Sequence, residues 1–278
     1  MNRPANPAAV MIVGGTEAPA ERTDVLGRFV QLCGGPASPI VVLTAASTTP
    51  DEVWAAYRPA FAAAGARQCE QVHAGSREEA ADPALAARLA QARGIFITGG
   101  DQKRLTAAIG GTPLHEAIRR AVRAGASIGG TSAGASALGV HMVTDGRAEF
   151  SPEKGAVGMG AGLGLLPQCI IDQHFSQRHR INRLLTLIAA NPELAGIGVD
   201  EDTAMVLTGA GALEVVGPGA VTLVDGRHMR TNLADVERGE IPLMLDVRVH
   251  VLPTGTALET LPEVLRPLLQ PVLAPLVP

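Results

Sequence analysis

Ile128-Gly129-Gly130-Thr131-Ser132-Ala133-Gly134-Ala135-Ser136 is the stretch on which the fold turns. It follows a run with helical periodicity over residues 114–124 and a Gly125 placed to stop that helix. Ala126-Ser127-Ile128 reads as a short strand, and the small residues beyond it permit a sharp turn into another helix. A serine on such a turn projects its hydroxyl clear of the sheet, and close backbone approach there forces small neighbours. Gly130-Thr131-Ser132-Ala133-Gly134 fits the G-x-S-x-G template of this nucleophile elbow. With 32 glycines in the chain the pentapeptide also arises by chance. Its meaning therefore depends on what the flanking strands bring beside Ser132.

Outward from the elbow, apolar runs alternate with helical patterns. Residues 10–13, 40–44, 95–98, 169–171, 197–199 and 204–207 read as strands, with a short one expected at 72–74. Helices are expected over 23–33, 51–64, 82–92 and from 103 to 109, and a basic helix runs to about 190. Residues 144–164 read as a mobile segment. This order predicts an α/β fold with a mostly parallel sheet and helices on both faces. From about residue 209 the pattern changes to antiparallel strands at 213–216, 221–224 and 247–252, a small C-terminal extension. The Leu- and Pro-rich tail after residue 261 is expected to be a loosely packed surface segment. The 278 residues suit a single large domain spanning 1–278.

Composition narrows the function classes. A net charge of −4 with 18% charged residues gives no excess that would attract nucleic acid or a membrane surface. Aromatic content of 3% makes base-stacking platforms unexpected. No run reaches the roughly 18 apolar residues of a membrane span, and the first residues lack an apolar core of secretory length, so the cytoplasm is the expected compartment. Cys33, Cys69 and Cys169 show no C-x-x-C spacing, which supports neither a metal site nor a disulfide framework. No cofactor is expected: the glycine fingerprints of dinucleotide and P-loop sites are missing.

Ligands of parallel sheets bind at the carboxyl ends of the strands, and the polar residues cluster there. Gly14-Gly15, Thr44, Gly99-Gly100-Asp101-Gln102, Ser132, Asp172-Gln173-His174 and Asp200-Glu201-Asp202 all follow strand runs. A serine nucleophile needs a base, and His174 ends a strand where it should emerge beside Ser132. His141 is a weaker candidate, His179 among the arginines reads as solvated or substrate-facing, and His73, His115, His228 and His250 sit in structural patterns. The acid that orients the imidazole is Glu201 by its strand-end position, with Asp172, Glu149 and Asp202 as competitors. Backbone N–H groups of Ala133, Gly99 and Gly100 are placed to serve as an oxyanion hole. Arg178, Arg180 and Arg183 follow the base, and guanidinium groups grip carboxylates bidentately. Asp101, Asp172 and the 200–202 acids could face a cationic group, so the site suits a zwitterionic peptide.

Five ordered segments together resemble cyanophycinase, in the serine peptidase family that also contains the aspartyl dipeptidases called peptidase E. They are Phe96-Ile97-Thr98-Gly99-Gly100-Asp101-Gln102, Gly129-Gly130-Thr131-Ser132-Ala133-Gly134-Ala135-Ser136, Gly162-Leu163-Gly164-Leu165-Leu166, Asp172-Gln173-His174-Phe175-Ser176-Gln177-Arg178 and Gly198-Val199-Asp200-Glu201-Asp202-Thr203-Ala204. The resemblance implies a fold like class I glutamine amidotransferases, a homodimer, and exopeptidase cleavage of cyanophycin. That polymer is polyaspartate bearing arginine on its β-carboxyls, and the product is β-Asp-Arg. It implies Ser132 as nucleophile, His174 as base and Glu201 as acid, with Gln102, Gln173, Arg178, Arg180 and Arg183 in the substrate pocket. The chain departs from the family at Gly14-Gly15-Thr16-Glu17-Ala18-Pro19, where Gly-Gly-x-Glu-Asp-Lys is common. Peptidases of smaller aspartyl or isoaspartyl peptides, and a non-catalytic binding module on the same scaffold, are the alternatives.

Overall fold

The computed structural model describes residues 8–16, 24–146, 150–209, 211–257 and 263–273. A seven-stranded sheet forms its centre, in the order β11-β10-β1-β5-β4-β2-β3. Five of these run parallel: β1 (Ala9–Val13), β2 (Ile40–Leu43), β3 (Cys69–Val72), β4 (Gly94–Ile97) and β5 (Ser127–Thr131). β10 (Ala204–Thr208) and β11 (Leu213–Val216) close one edge antiparallel.

β1, β2 and β4 carry no polar side chain because both faces of the sheet are covered. Along β1, Val10 and Ile12 join one core cluster while Met11 and Val13 join the other. Helices α1 (Asp24–Leu32) and α2 (Pro50–Ala63) cover the second face through Phe29, Tyr57 and Phe61, whose rings meet Phe96 of β4. Helices α3 (Pro83–Gln91), α4 (Gln102–Ile109) and α5 (Pro113–Arg123) cover the first. Pro83 and Pro113 sit in the first turns of α3 and α5, where a missing N–H costs nothing, and Asp82, Asp101 and Thr112 cap the three N-termini. The edge strand β3, Cys-Glu-Gln-Val, lies upstream of the expected 72–74 because an edge position tolerates polar residues that break the apolar run.

Several expectations are corrected. The strands at 169 and 197 do not extend the main sheet. β8 (Cys169–Gln173) and β9 (Ala195–Val199) pair parallel in a second sheet, completed antiparallel by β12 (Ala220–Asp225) and β13 (Arg248–Pro253). Most of the C-terminal extension is thus built into the two sheets. Residues 144–164 are largely ordered too: β6 (His141–Gly146) and β7 (Val157–Ala161) form a hairpin with a register shift after Val143. It packs by Val143 on the cluster of Ile170, Phe175, Leu184 and Ile188, beside α7 (Ile181–Ala190). The tail contains α8 (Arg266–Leu273), and Leu268, Leu269 and Val272 are buried in the main core. Pro267 lies in the first turn, where proline is tolerated, whereas Pro271 lies inside the helix and removes one backbone hydrogen bond.

Candidate active site

Strand β5 is a central strand with two glycines, Gly129 and Gly130, and the packing around each demands it. A Cβ on Gly129 would lie 2.7 Å from the Phe96 ring, and one on Gly130 would lie 2.6 Å from the Gly134 carbonyl oxygen. Gly134 in turn lets the four-residue helix α6 (Ala133–Ser136) press against β4, since its Cβ would meet the Ile97 oxygen at 2.3 Å. Between them Ser132 adopts φ 52° and ψ −115°, a strained backbone held by a hydrogen bond from its N–H to the Val13 oxygen at 3.1 Å. These contacts give the G-x-S-x-G spacing its physical basis: each glycine is where the turn doubles back on itself.

The second sheet brings its residues to the same place through the Gly14-Gly15-Thr16 turn that ends β1. The His174 N–H donates to the Gly14 oxygen at 2.9 Å, and the Asp202 N–H to the Gly15 oxygen at 2.7 Å. Gly14 leaves no room for a side chain, because a Cβ would sit 1.9 Å from the Asp200 oxygen. Gly15 has φ +110°, and a Cβ there would lie 2.3 Å from Cε1 of His174. The imidazole therefore lies flush against the Gly15 backbone.

Ser132 Oγ and His174 Nε2 are 2.9 Å apart, and His174 Nδ1 lies 2.6 Å from Glu201 Oε1. The carboxylate fixes the tautomer: Nδ1–H donates to Glu201, which leaves Nε2 to accept the Ser132 hydroxyl proton. Burial pushes the His174 pKa below its usual 6.5; the Glu201 hydrogen bond opposes that shift, and Arg178 and Arg180 add to it. His174 is therefore neutral at physiological pH, the state a base requires. The Thr16 hydroxyl reaches Glu201 Oε2 at 3.4 Å, and the Glu201 N–H donates to Gln177 Oε1 at 3.0 Å. Of the candidate acids, it is Glu201 that meets Nδ1; Asp172 is fully buried on arginines, and Glu149 lies outside the described residues. Gly99 borders the serine, its Cβ position 3.3 Å from that of Ser132, and Gly100 is held at φ +138° against Ala46. Ala133 follows the serine and begins α6.

The arginine-rich segment is not one helix. A short 3₁₀ turn, Ser176–Arg178, ends at His179 in the left-handed region (φ 51°), and α7 starts only at Ile181. This break separates the arginines by environment. Arg183 forks onto both oxygens of Asp172, and Arg180 spans Asp172 and the side-chain oxygen of Gln173, the latter at 2.9 Å. Asp172 has no exposure, so its charge must be paired, and these arginines supply the pairing. Burial lowers the Arg180 pKa to about 10, which leaves it charged. Arg178 remains exposed beside His174. Asp101 accepts the Lys103 and Arg104 N–H groups as a helix cap, and Gln102 donates to the Val143 oxygen of the hairpin at 2.9 Å. Thr16 and Gln177 had no role assigned from sequence; their only signal is a position three or four residues past a strand end. Among the described residues no group of three His, Cys, Asp or Glu could hold a metal ion, and burial pushes the Cys169 thiol up to about 12.

Comparison with known proteins places this geometry. Residues 10–215 match the family model for peptidase family S51. The chain belongs to peptidase family S51. As an S51 peptidase it is 40% identical over 248 residues to the cyanophycinase of Synechococcus elongatus, covering 88% of this chain and 77% of that one. It is 37% identical to the cyanophycinase of Trichormus variabilis, over 90% of this chain and 85% of the relative. The cyanophycinase of Geminocystis herdmanii is also 37% identical, with 89% and 92% covered. Among solved structures, a peptidase from an acI-B1 actinobacterium shares the fold with TM-score 0.67 at 22% identity, covering 91% of this chain and 97% of that one. The chain is thus a peptidase with a mixed α/β fold.

Proposed function

We propose that this S51 peptidase hydrolyses cyanophycin to β-Asp-Arg dipeptides as a serine exopeptidase, through an acyl-enzyme on Ser132. The observation that carries the chemistry is the relay of 2.9 and 2.6 Å contacts from Ser132 through His174 to Glu201, built on a strained elbow. The substrate class is supported by the cyanophycinases at 37–40% identity.

In this mechanism Ser132 Oγ attacks the scissile carbonyl carbon and its proton passes to His174 Nε2. Glu201 keeps the imidazole oriented and stabilises the imidazolium. The N–H groups of Gly99, Gly100 and Ala133 bind the developing oxyanion. The C–N bond then breaks, and the leaving nitrogen takes the proton from Nε2. Water, deprotonated by the same imidazole, releases the acyl group and regenerates Ser132. Arg178 binds a substrate carboxylate; Asp172 fastens Arg180 and Arg183 so that their outward faces, with Gln102 and Gln173, line the pocket. Asp101 stands near a substrate guanidinium. The whole chain acts as one peptidase domain, in the cytoplasm and as a homodimer, without a cofactor. Initial rates on the polymer and on a panel of aspartyl and isoaspartyl dipeptides test the substrate. A higher kcat/KM on the polymer supports cyanophycin, whereas preference for the dipeptides assigns the site to small peptides.

A further inference from the structure

His174 and Glu201 come from different strands, and the ladder pairing β8 with β9 ends at Gln173 and Val199, just before both. Beyond that point two crossing hydrogen bonds join the segments. The buried Asp200 carboxylate accepts the Ser176 N–H at 3.0 Å with Oδ1, while its Oδ2 accepts the Ala220 N–H at 3.1 Å. In return Gln177, in the turn after His174, accepts the Glu201 N–H at 3.0 Å. The Glu201 side chain is 30% exposed, so water competes for its carboxylate. Its aim at Nδ1 depends on where its backbone is held. Asp200 anchors one side of this crossing from a buried position, and the exposed Gln177 holds the other.

Resting on the relay proposed above, we infer that Gln177 is a positioning residue for hydrolysis: its side-chain oxygen holds the Glu201 backbone so that the carboxylate stays on His174. It touches neither the reacting atoms nor the imidazole. The requirement is for an acceptor at that reach, not for an amide. Gln177→Met keeps the length and removes the acceptor, whereas Gln177→Glu keeps both.

Steady-state kinetics on cyanophycin test this. Gln177→Met is expected to lower kcat roughly 3- to 10-fold, the effect of one neutral hydrogen bond, with KM unchanged. Gln177→Glu is expected to retain kcat within about twofold, since the acceptor is kept. In a Glu201→Ala background Gln177→Met should cost nothing more, because no carboxylate is left to aim. Unchanged kcat in Gln177→Met, a loss confined to KM, no rescue by Gln177→Glu, or an equal loss in the Glu201→Ala background each overturns the inference. If Glu201→Ala alone leaves kcat intact, the relay itself fails, a result distinct from any of these.

Discussion

At the scale of single residues, the site is controlled by what surrounds one imidazole. Burial holds His174 below 6.5, Glu201 opposes that shift, and Arg178 and Arg180 reinforce it. A base works only when neutral, so kcat/KM should rise with pH through a pKa below 6.5 and be flat by neutrality. Arg178→Ala removes a cation that disfavours the imidazolium, so the acidic limb of the pH–rate profile should move to higher pH; a shift to lower pH would contradict the assignment. Gly15→Ala forces a Cβ to within 2.3 Å of Cε1 at a backbone φ of +110°. Displacing the ring by even an ångström is expected to cost about 100-fold in kcat, while circular dichroism stays native. Native kinetics in that variant would mean that the ring is not seated on Gly15.

At the scale of elements, the elbow and the Asp172 cluster test how the site is built. Gly134→Ala places a Cβ 2.3 Å from the Ile97 oxygen, and an overpacking cost of about 1–3 kcal/mol is expected in denaturant melts. Asp172→Asn leaves Arg180 and Arg183 facing a neutral amide in a buried place, and breaking such a pair costs roughly 3–5 kcal/mol. A Tm equal to the parent would show that the ion cluster is not structural. These elements also show where sequence was informative. Strands β1, β2 and β4 were legible because burial on both faces leaves an unbroken apolar run, β5 because small residues mark the elbow that follows it, and Ser132, His174 and Glu201 stood out as polar groups at strand ends. The second sheet was not legible. A buried parallel pair such as β8 and β9 has the same pattern in either sheet, and only the non-local bonds at Gly14 and Gly15 decide where it docks. The hairpin β6–β7 was hidden by Gly146, Gly158 and Gly160, which pack tightly against its partner strand yet read as loop. Nor could spacing reveal that His179 breaks the arginine helix, because nothing in the residue type demands φ 51° there.

At the scale of the molecule, two sheets join at one glycine turn, and the proposed relay lies where they meet. The proposed assembly is a homodimer. Light scattering on the purified protein should give twice the chain mass, and a monomer at micromolar concentration would contradict the homodimer. No helix among the described residues is long and apolar enough to cross a membrane. The central claim is that Ser132 hydrolyses cyanophycin, and one paired assay addresses it. Parent and Ser132→Ala proteins are incubated with cyanophycin and the soluble products separated by chromatography. The parent should release β-Asp-Arg as the product, and Ser132→Ala should fall by roughly 10³-fold or more while melting at the same temperature. Equal release by the two proteins, or none by either, would contradict it.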